Sequence, residues 1–379
     1  MQSPEQLYLR YSKEFPEEHA TDIYERVLRH YEGMLENEIP REVQEMQRTI
    51  NLVKGVVDKV KHGEYLKQRV LQLKRRVQPA QRTEGWYALR NGMFTASSDI
   101  GNIAGTSYDH KNANDRDREH IRDMLILKKC GHDLKAFKGN FATRWGNMFE
   151  EVVTQLYSQR TGDEAWEFGL MQHEQYKFIG ASPDAITPNG MMIEIKCPSS
   201  RKITGNVPLY YWTQMQVQLE CCDLEECDFV ECKFKKFNSE QACIRDKYCE
   251  QSGVLGEYYD TRRSMNDPDN RYYCYPPMGP MNTQKQYINE YETKHKFLGF
   301  VYWGLQKYSC VRVARDRAWF NKQLPKITEA WEQVVYYREH PDELEKLLEK
   351  AKAYEAWKNK PEPEVTTSLM DCLTSEDES

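Results

Sequence analysis

Hydrophobic and polar positions divide the 379-residue chain into stretches of different period. TDIYERVLRHYEGMLENEI (21–39) and VQEMQRTINLVKGVVDKVKHGEYLKQRVLQLKRRV (43–77) place apolar residues at helical spacing. Residues 1–80 therefore read as a helical N-terminal extension, with Thr21 or Asp22 capping the first long helix and the second ending before Pro79. From 81 to 235 short strands and helices alternate, the texture of an α/β core. Residues 236–295 are rich in Tyr, Asn, Pro and Gly and read as an irregular insertion. In 296–360, KFLGFVYWGLQKYSCVRVARD predicts two returning strands, followed by helices that Pro325 and Pro341 interrupt. The acidic stretch 361–379 reads as a disordered tail. There is no internal repeat.

Composition narrows the class. Hydrophobic residues make up 39% and charged residues 30%, and there are 24 tyrosines and 8 tryptophans, so a core can form and a largely disordered chain is excluded. No apolar run approaches the roughly 18 residues of a membrane helix, and the polar N-terminus is no secretory signal. The expectation is a soluble intracellular protein with no membrane partner. The net charge of −6 hides a basic run from Lys54 to Arg82, which reads either as a solvated helix face or as a polyanion contact. The 11 cysteines include no C-x-x-C, and Cys221, Cys222, Cys227 and Cys232 lack a nearby His, so reduced structural thiols are expected.

The chemistry concentrates in IGASPDAITPNGMMIEIKCP, residues 179–198. Pro188-Asn189-Gly190 suits a three-residue hairpin loop, in which Gly supplies the left-handed last position. That loop pairs Thr187 with Met191, and counting back sets Asp184 opposite Glu194 on one face. Lys196, two residues beyond Glu194, shares that face. Two neighbouring carboxylates repel, and a hard divalent cation relieves the repulsion. The ammonium can stabilise a developing anion or orient a water. Together this is equipment for metal-assisted phosphodiester hydrolysis. The bland alternative is a surface hairpin with a salt bridge, because a bare D…E-x-K is common by chance.

Three more segments weigh on that choice. In WGNMFEEVVTQLYSQRTG (145–162), Phe149, Val152, Val153, Leu156 and Tyr157 form one stripe, with Glu150 at its edge and Glu151 turned to solvent. Glu150 is thus a candidate third ligand. In LYYWTQMQVQLECC (209–222), Gln214, Gln216 and Gln218 sit in an apolar helix, where unbonded amides are costly. They would position a water or a DNA strand, or bond to each other or to backbone. In QRTEGWYALRNGMFTASSDIGNIAG (81–105), Arg90 suits a phosphate, and Ser97 or Ser98 would cap the next helix.

W-Y-A-L-R-N-G-M-F-T-A-S (86–97), R-W-G-N-M-F-E (144–150), G-A-S-P-D (180–184), E-I-K-C-P (194–198) and Q-M-Q (214–216) together resemble the YqaJ-type viral recombinase nucleases, the family of phage lambda exonuclease within the PD-(D/E)XK superfamily. The resemblance covers about 82–235 and implies a restriction-endonuclease-like α/β (α+β) fold, a central mixed sheet flanked by helices. It implies two Mg²⁺ or Mn²⁺ ions, held by Asp184, Glu194 and the Ile195 carbonyl with Glu150 on the second ion. Lys196 would assist the attacking water, Gln216 would support it, and Arg90 and Ser97 would hold a DNA 5′-phosphate. It further implies degradation of duplex DNA from a 5′ end, a 3′ tail left for a single-strand annealing protein, and a trimeric ring. The first 80 residues, 236–295 and the tail have no counterpart in the short phage enzymes; they put the ring in doubt and suggest a large DNA virus of eukaryotes. A restriction-like or structure-specific endonuclease, and a non-catalytic scaffold on the same fold, are the competing readings.

Overall fold

The computed structural model describes residues 2–16, 18–35, 40–76, 78–135 and 139–360, so the expected acidic tail lies outside the described residues. The chain opens with helices α1 (Pro4–Glu14), α2 (Ala20–Leu35) and α3 (Pro40–Arg75). Leu7, Val27, Tyr31, Ile50, Val53 and Val57 close a small core between them. Further along α3 the roughly opposite face is the buried one, and Val70 and Leu73 enter the main core of the protein. Thr21 and Asp22 do not cap α2, which already begins at Ala20; Thr21 Oγ1 instead donates to Glu64 of α3 at 2.9 Å.

The basic run is largely committed within the fold. Arg69 is buried, donates to the Cys222 carbonyl at 2.8 Å and pairs with Glu174, which Arg76 also grips. Lys61 pairs with Glu25 at 2.6 Å and Lys54 with Glu32 at 3.2 Å. The Lys74 ammonium lies 3.7 Å from the centre of the Trp166 ring. These contacts dock α3 and favour the structural reading of the run over a polyanion contact.

Helix α4 (Glu84–Asn91), strand β1 (Phe94–Thr95), the short α5 (Ile100–Ile103), α6 (Asp115–Lys129) and the long α7 (Phe141–Thr161) follow. Then come β2 (Met171–Gln172), β3 (Ile179–Ala181), β4 (Ala185–Ile186), β5 (Met192–Lys196), α8 (Leu209–Cys222) and β6 (Glu226–Phe237). The remainder is α9 (Glu240–Arg245), β7 (Gln251–Tyr259), β8 (Tyr272–Cys274), α10 (Met281–Glu290), β9 (Lys296–Ala314), α11 (Arg317–Glu339) and α12 (Pro341–Lys358). The strands form a small sheet, β1-β3-β2, and a six-stranded sheet in the order β4-β5-β6-β9-β7-β8. In the larger one β5 and β6 run parallel and the other pairs antiparallel. It is thus a mixed sheet with helices on both faces. The α7 stripe, with Phe149, Val152, Val153, Leu156 and Tyr157 buried, packs with Ile193, Ile195 and Val230. On the other side Met215, Val217 and Leu219 of α8 join the main core with residues of α6 and α11.

Three sequence expectations fail here. Residues 236–295 are not an irregular insertion: β7 and β8 extend the central sheet and α10 covers them. Gly253 and Gly256, which resemble loop signals, are close-packing positions. A Cβ at the first would lie 2.6 Å from the Trp303 ring, and one at the second 2.6 Å from Ile288. Residues 296–314 form one strand rather than two, and the register slips opposite Lys233/Phe234 and Glu257/Tyr258 let it bend without a break. Pro325 also lies inside α11 without ending it, whereas Pro341 opens α12, where a missing N–H costs nothing.

The ten described cysteines are free thiols. Cys221, Cys222 and Cys227 lie in the main core, and burial pushes the Cys222 thiol up to about 12.

Helix α12 is held to α6 by apolar packing and by several polar ties, among them His120 to Glu355, Lys350 to Glu119 and the carboxylate of Asp117. Asp117 accepts from Lys358 Nζ at 2.6 Å and from the Tyr354 hydroxyl at 2.7 Å. The Lys358 bond first, then Tyr354 and the Asn114 N–H, hold Asp117 down from 3.8 to about 2. A depressed carboxylate contributes stability that is present above its ordinary value and lost as pH falls through the lower one. Asp117→Asn is therefore expected to speed amide exchange across α12 at neutral pH. The difference from wild type should vanish as pH falls through about 2; equal exchange in both proteins at neutral pH would remove Asp117 as a clasp.

Candidate active site

The hairpin between β4 and β5 sets the site. Thr187 N–H donates to the Met191 carbonyl at 2.8 Å and Gly190 N–H to the Thr187 carbonyl at 3.0 Å. Gly190 has φ +85°, the left-handed region, and a Cβ there would also meet Leu66 of α3 at 2.9 Å. Ala185 pairs with Ile193 and Ile186 with Met192. One step further Asp184 faces the β5 edge, where its Oδ2 accepts from Ile195 N–H at 2.6 Å. Ala185, Ile193, Ile195 and Cys197 turn toward α7, so Glu194 and Lys196 turn toward α8.

Glu194 is fully buried, and both of its oxygens are engaged. Gln214 Nε2 donates to Oε1 and Gln218 Nε2 to Oε2, each at 2.7 Å, and Lys196 Nζ ion-pairs with Oε1. Gln218 Nε2 also reaches the Ser182 carbonyl at 3.0 Å. Gln216 does not take part. It lies 200° round the helix from either neighbour, donates to the Ala314 carbonyl at 2.9 Å and accepts from Asp316 N–H at 2.5 Å. It thereby ties α8 to the end of β9. Gln214 and Gln218, four residues apart, are the pair that meets the sheet.

Lys196 is half-buried, with its Nζ 5.0 Å from the Tyr211 ring centre. Burial alone would lower the Lys196 ammonium, but Glu194 and Asp184 outweigh it and push its pKa up, so the group stays cationic. Asp184 is pushed the other way. Burial, then the Glu194 charge, then Glu150 raise its carboxyl well above the usual range against the pull of Lys196. Two carboxylates that raise the energy of a third are the electrostatic mark of a place suited to a cation.

Glu150 reaches the same place from α7. It lines a cleft of ≈ 460 Å³ together with Asp184, Ile195, Lys196, Arg201 and Tyr211. Its Oε2 accepts from Arg82 at 2.7 Å, and Arg82 holds a left-handed backbone at φ +66°. Glu151 is half-buried rather than solvated; burial raises its carboxyl, with Glu167 and Glu150 adding and the Gln155 amide opposing. Asp184, Glu150, Glu194 and the Ile195 carbonyl are all hard oxygen donors, the set that suits Mg²⁺ or Mn²⁺. Among the described residues no three His, Cys, Asp or Glu side chains stand in ligating array. Glu194 and Glu150 would trade their Lys196 and Arg82 partners to reach an ion, so the donors fit such an ion in kind.

A second polar group lies across β3. Arg90, at the end of α4, has its guanidinium carbon 4.2 Å from the Trp86 ring centre and donates to Thr95 and Ser97 hydroxyls at 3.4 Å and to Ser98 at 3.5 Å. Neither serine caps α5, whose N-cap is Asp99. Asp99 is fully buried and points back, accepting from Thr95 N–H and Oγ1 at 2.8 Å each, with Lys129 Nζ at 2.8 Å. Lys129 and Lys128 hold it ionised against the cost of burial. The loop is therefore braced from beneath, and Arg90, Ser97 and Ser98 form its outer side. Trp86 Nε1 donates to the Ser182 hydroxyl at 3.0 Å, two residues before Asp184, which links the two polar groups.

Residues 85–225 match the family model of the YqaJ-like viral recombinase domain. An uncharacterized protein of Acanthamoeba polyphaga mimivirus is 26% identical over 269 residues, 59% of this chain and 49% of that protein, so the chain spans about half the length of the curated relative it matches. Crystal structures of LHK-Exo, an alkaline exonuclease from Laribacter hongkongensis, one of them in complex with dAMP, are 22% identical. They cover 72% of this chain and 100% of theirs, with TM-scores of 0.42 and 0.41. A phage related exonuclease from Haemophilus somnus is 17% identical over 71% of this chain and 97% of its own, with a TM-score of 0.31.

Proposed function

We propose that this chain, whose residues 85–225 match the family model of the YqaJ-like viral recombinase domain, is a divalent-metal-dependent exonuclease that degrades duplex DNA from a 5′-phosphorylated end and leaves a 3′ single strand. The observation that carries the reading is the convergence of Asp184, Glu150, Ile195 and Lys196 on one cleft, with Arg90 and two serine hydroxyls joined to it through Trp86 and Ser182.

Asp184, Glu194 and the Ile195 carbonyl would hold one Mg²⁺ or Mn²⁺, and Glu150 a second. Bound there, such ions supply a nucleophilic water at neutral pH and screen charge on the phosphate. Asp184 and Glu194 set the position of the reacting phosphate. Gln214 and Gln218 hold the Glu194 carboxylate in one orientation. Lys196, kept cationic, donates to the attacking water or to a phosphate oxygen. The water oxygen bonds to phosphorus as the bond to the 3′ oxygen breaks, and that oxygen leaves with a proton. The product strand keeps a 5′-phosphate, the group suited to Arg90, Ser97 and the neighbouring hydroxyls. Each cut thus regenerates the end that the next one uses. A single-strand annealing protein would receive the 3′ tail; a homo-oligomer such as the family's trimer remains part of the proposal.

Linear duplex with labelled ends tests this. Loss of nucleotides from a 5′-phosphorylated strand is expected in Mg²⁺ or Mn²⁺, is stopped by EDTA, and is slower from a 5′-hydroxyl end. Arg90→Ala should cost roughly tenfold or more on the phosphorylated end, the scale of a lost charge-assisted contact, and make the two ends equal. Cutting of a closed circle at a comparable rate would replace the exonuclease by an endonuclease.

A further inference from the structure

Glu150 and Asp184 border two clefts. The first carries Lys196, Arg201 and serines 199 and 200. The second, ≈ 400 Å³, is lined by Tyr273, Tyr275, Tyr287 and Tyr291 opposite Glu150, Glu151 and Glu167, with Arg82 and Asp184. The tyrosines come from β8 and α10, each with its following residue, within 236–295, outside the residues that match the family domain. The Tyr275 hydroxyl is tied to the Asn147 carbonyl of α7 at 3.4 Å, which sets this part of the aromatic wall against the acidic helix, and the Tyr273 hydroxyl donates to Glu257 of β7 at 3.4 Å.

The chemistry of the two clefts differs. Cations and hydroxyls in the first suit phosphate oxygens. In the second, Glu151 and Glu167 stand outside the proposed ion site, the lone Arg82 is already bound to Glu150, and these two carboxylates would repel a phosphate. The same carboxylates can accept from the exocyclic amino groups of a base, and aromatic rings offer stacking to any base. Arg82 also leads directly into α4, the helix that carries Trp86 and Arg90. Resting on the exonuclease reading above, we infer that the tyrosine cleft takes the base of the 5′-terminal nucleotide, unpaired from its complement, while that nucleotide's phosphates lie at Arg90 and at Asp184. The wall selects for a nucleobase and against a bare sugar–phosphate end.

Tyr287 and Tyr291 are 45% and 43% exposed, so their replacement leaves the buried core intact. The first cut of a 5′-phosphorylated duplex is measured with a natural terminal nucleotide and with an abasic one. In wild type the abasic end is expected to lower kcat/KM about tenfold, the scale of one lost base–aromatic stack. In the Tyr287→Ala/Tyr291→Ala protein the natural end should fall by a similar factor and the abasic penalty should shrink below about twofold. The Tyr287→Phe/Tyr291→Phe protein should restore the penalty, because it keeps the rings. An abasic penalty of equal size in the wild-type and alanine proteins, or none in wild type, overturns this inference and leaves the exonuclease reading in place. A wild type that cuts no duplex in any divalent cation overturns both.

Discussion

Lys196→Ala is expected to lower metal-dependent cleavage by roughly 10²–10³-fold, the usual scale for removing one preorganised charge stabiliser from a transition state, with little change in DNA affinity. Lys196 reaches Glu194 from the same strand and sits under the influence of both Glu194 and Asp184. Its position is fixed by backbone alternation rather than by a mobile loop, so no neighbouring amine replaces it. Removing one partner of a buried ion pair costs about 3–5 kcal/mol when the other is left uncompensated. Here Glu194 keeps the Gln214 and Gln218 amides, so the loss of stability should be smaller. Thermal unfolding and single-turnover cleavage of the same preparations separate the two effects. A folded variant that retains cleavage within about threefold of wild type would take Lys196 out of the reaction.

The core of this site was legible because its determinants are local. Pro188-Asn189-Gly190 specifies a loop of fixed length, the loop specifies the register, and the register decides which carboxylates share a face. Strand alternation then adds Lys196 with no further information. Glu150 followed from the α7 stripe for the same reason. Gln216 did not, because α8 is buried almost all round, with nine of its residues from Thr213 to Cys222 inside. Such a helix has no polar face to orient it, and which amide meets the sheet is set by tertiary packing. The i, i+4 spacing of Gln214 and Gln218 was the available signal, since two amides on one face can hold both oxygens of one carboxylate.

The outer sheet was misread through the Tyr, Asn, Pro and Gly content of 236–295, and its glycines show why composition misleads there. Gly253, Gly256 and Gly304 sit in strands because large neighbours crowd them: the Trp303 ring, Ile288 and the Cys249 sulfur would each lie within 2.6 Å of an added Cβ. Close approach and turn formation select the same residue, and only the partner strand tells them apart. The basic run of α3 was left between two readings for a related reason. Its partners Glu25, Glu32, Glu174 and the Cys222 carbonyl are distant in sequence, so the run reads as unpaired until the fold brings them in.

Asp184→Asn is expected to abolish cleavage, by about 10³-fold or more, while making the metal-free protein more stable. Asp184 is half-buried beside Glu194 and within reach of the Glu150 charge, and its ionised form is disfavoured by all three circumstances. Asparagine has nearly the same shape, and its amide oxygen can still accept from the Ile195 N–H that Asp184 now engages. The substitution removes the repulsion and keeps the hydrogen bond. A gain of about 1 kcal/mol corresponds to a rise of roughly 2–4 °C in Tm for a domain of about 150–250 residues. Divalent cation should stabilise the two proteins to different extents. A ligand that binds only the folded state stabilises by about 2.7 kcal/mol at a hundredfold excess over its Kd, so Mg²⁺ or Mn²⁺ should raise the wild-type Tm clearly and the variant's only slightly. Thermal unfolding in EDTA and in excess Mg²⁺ measures all four values. If Asp184→Asn lowers Tm in EDTA and still gains as much from the cation as wild type does, Asp184 is a structural hydrogen-bond acceptor, and the carboxylates that hold the ion lie elsewhere.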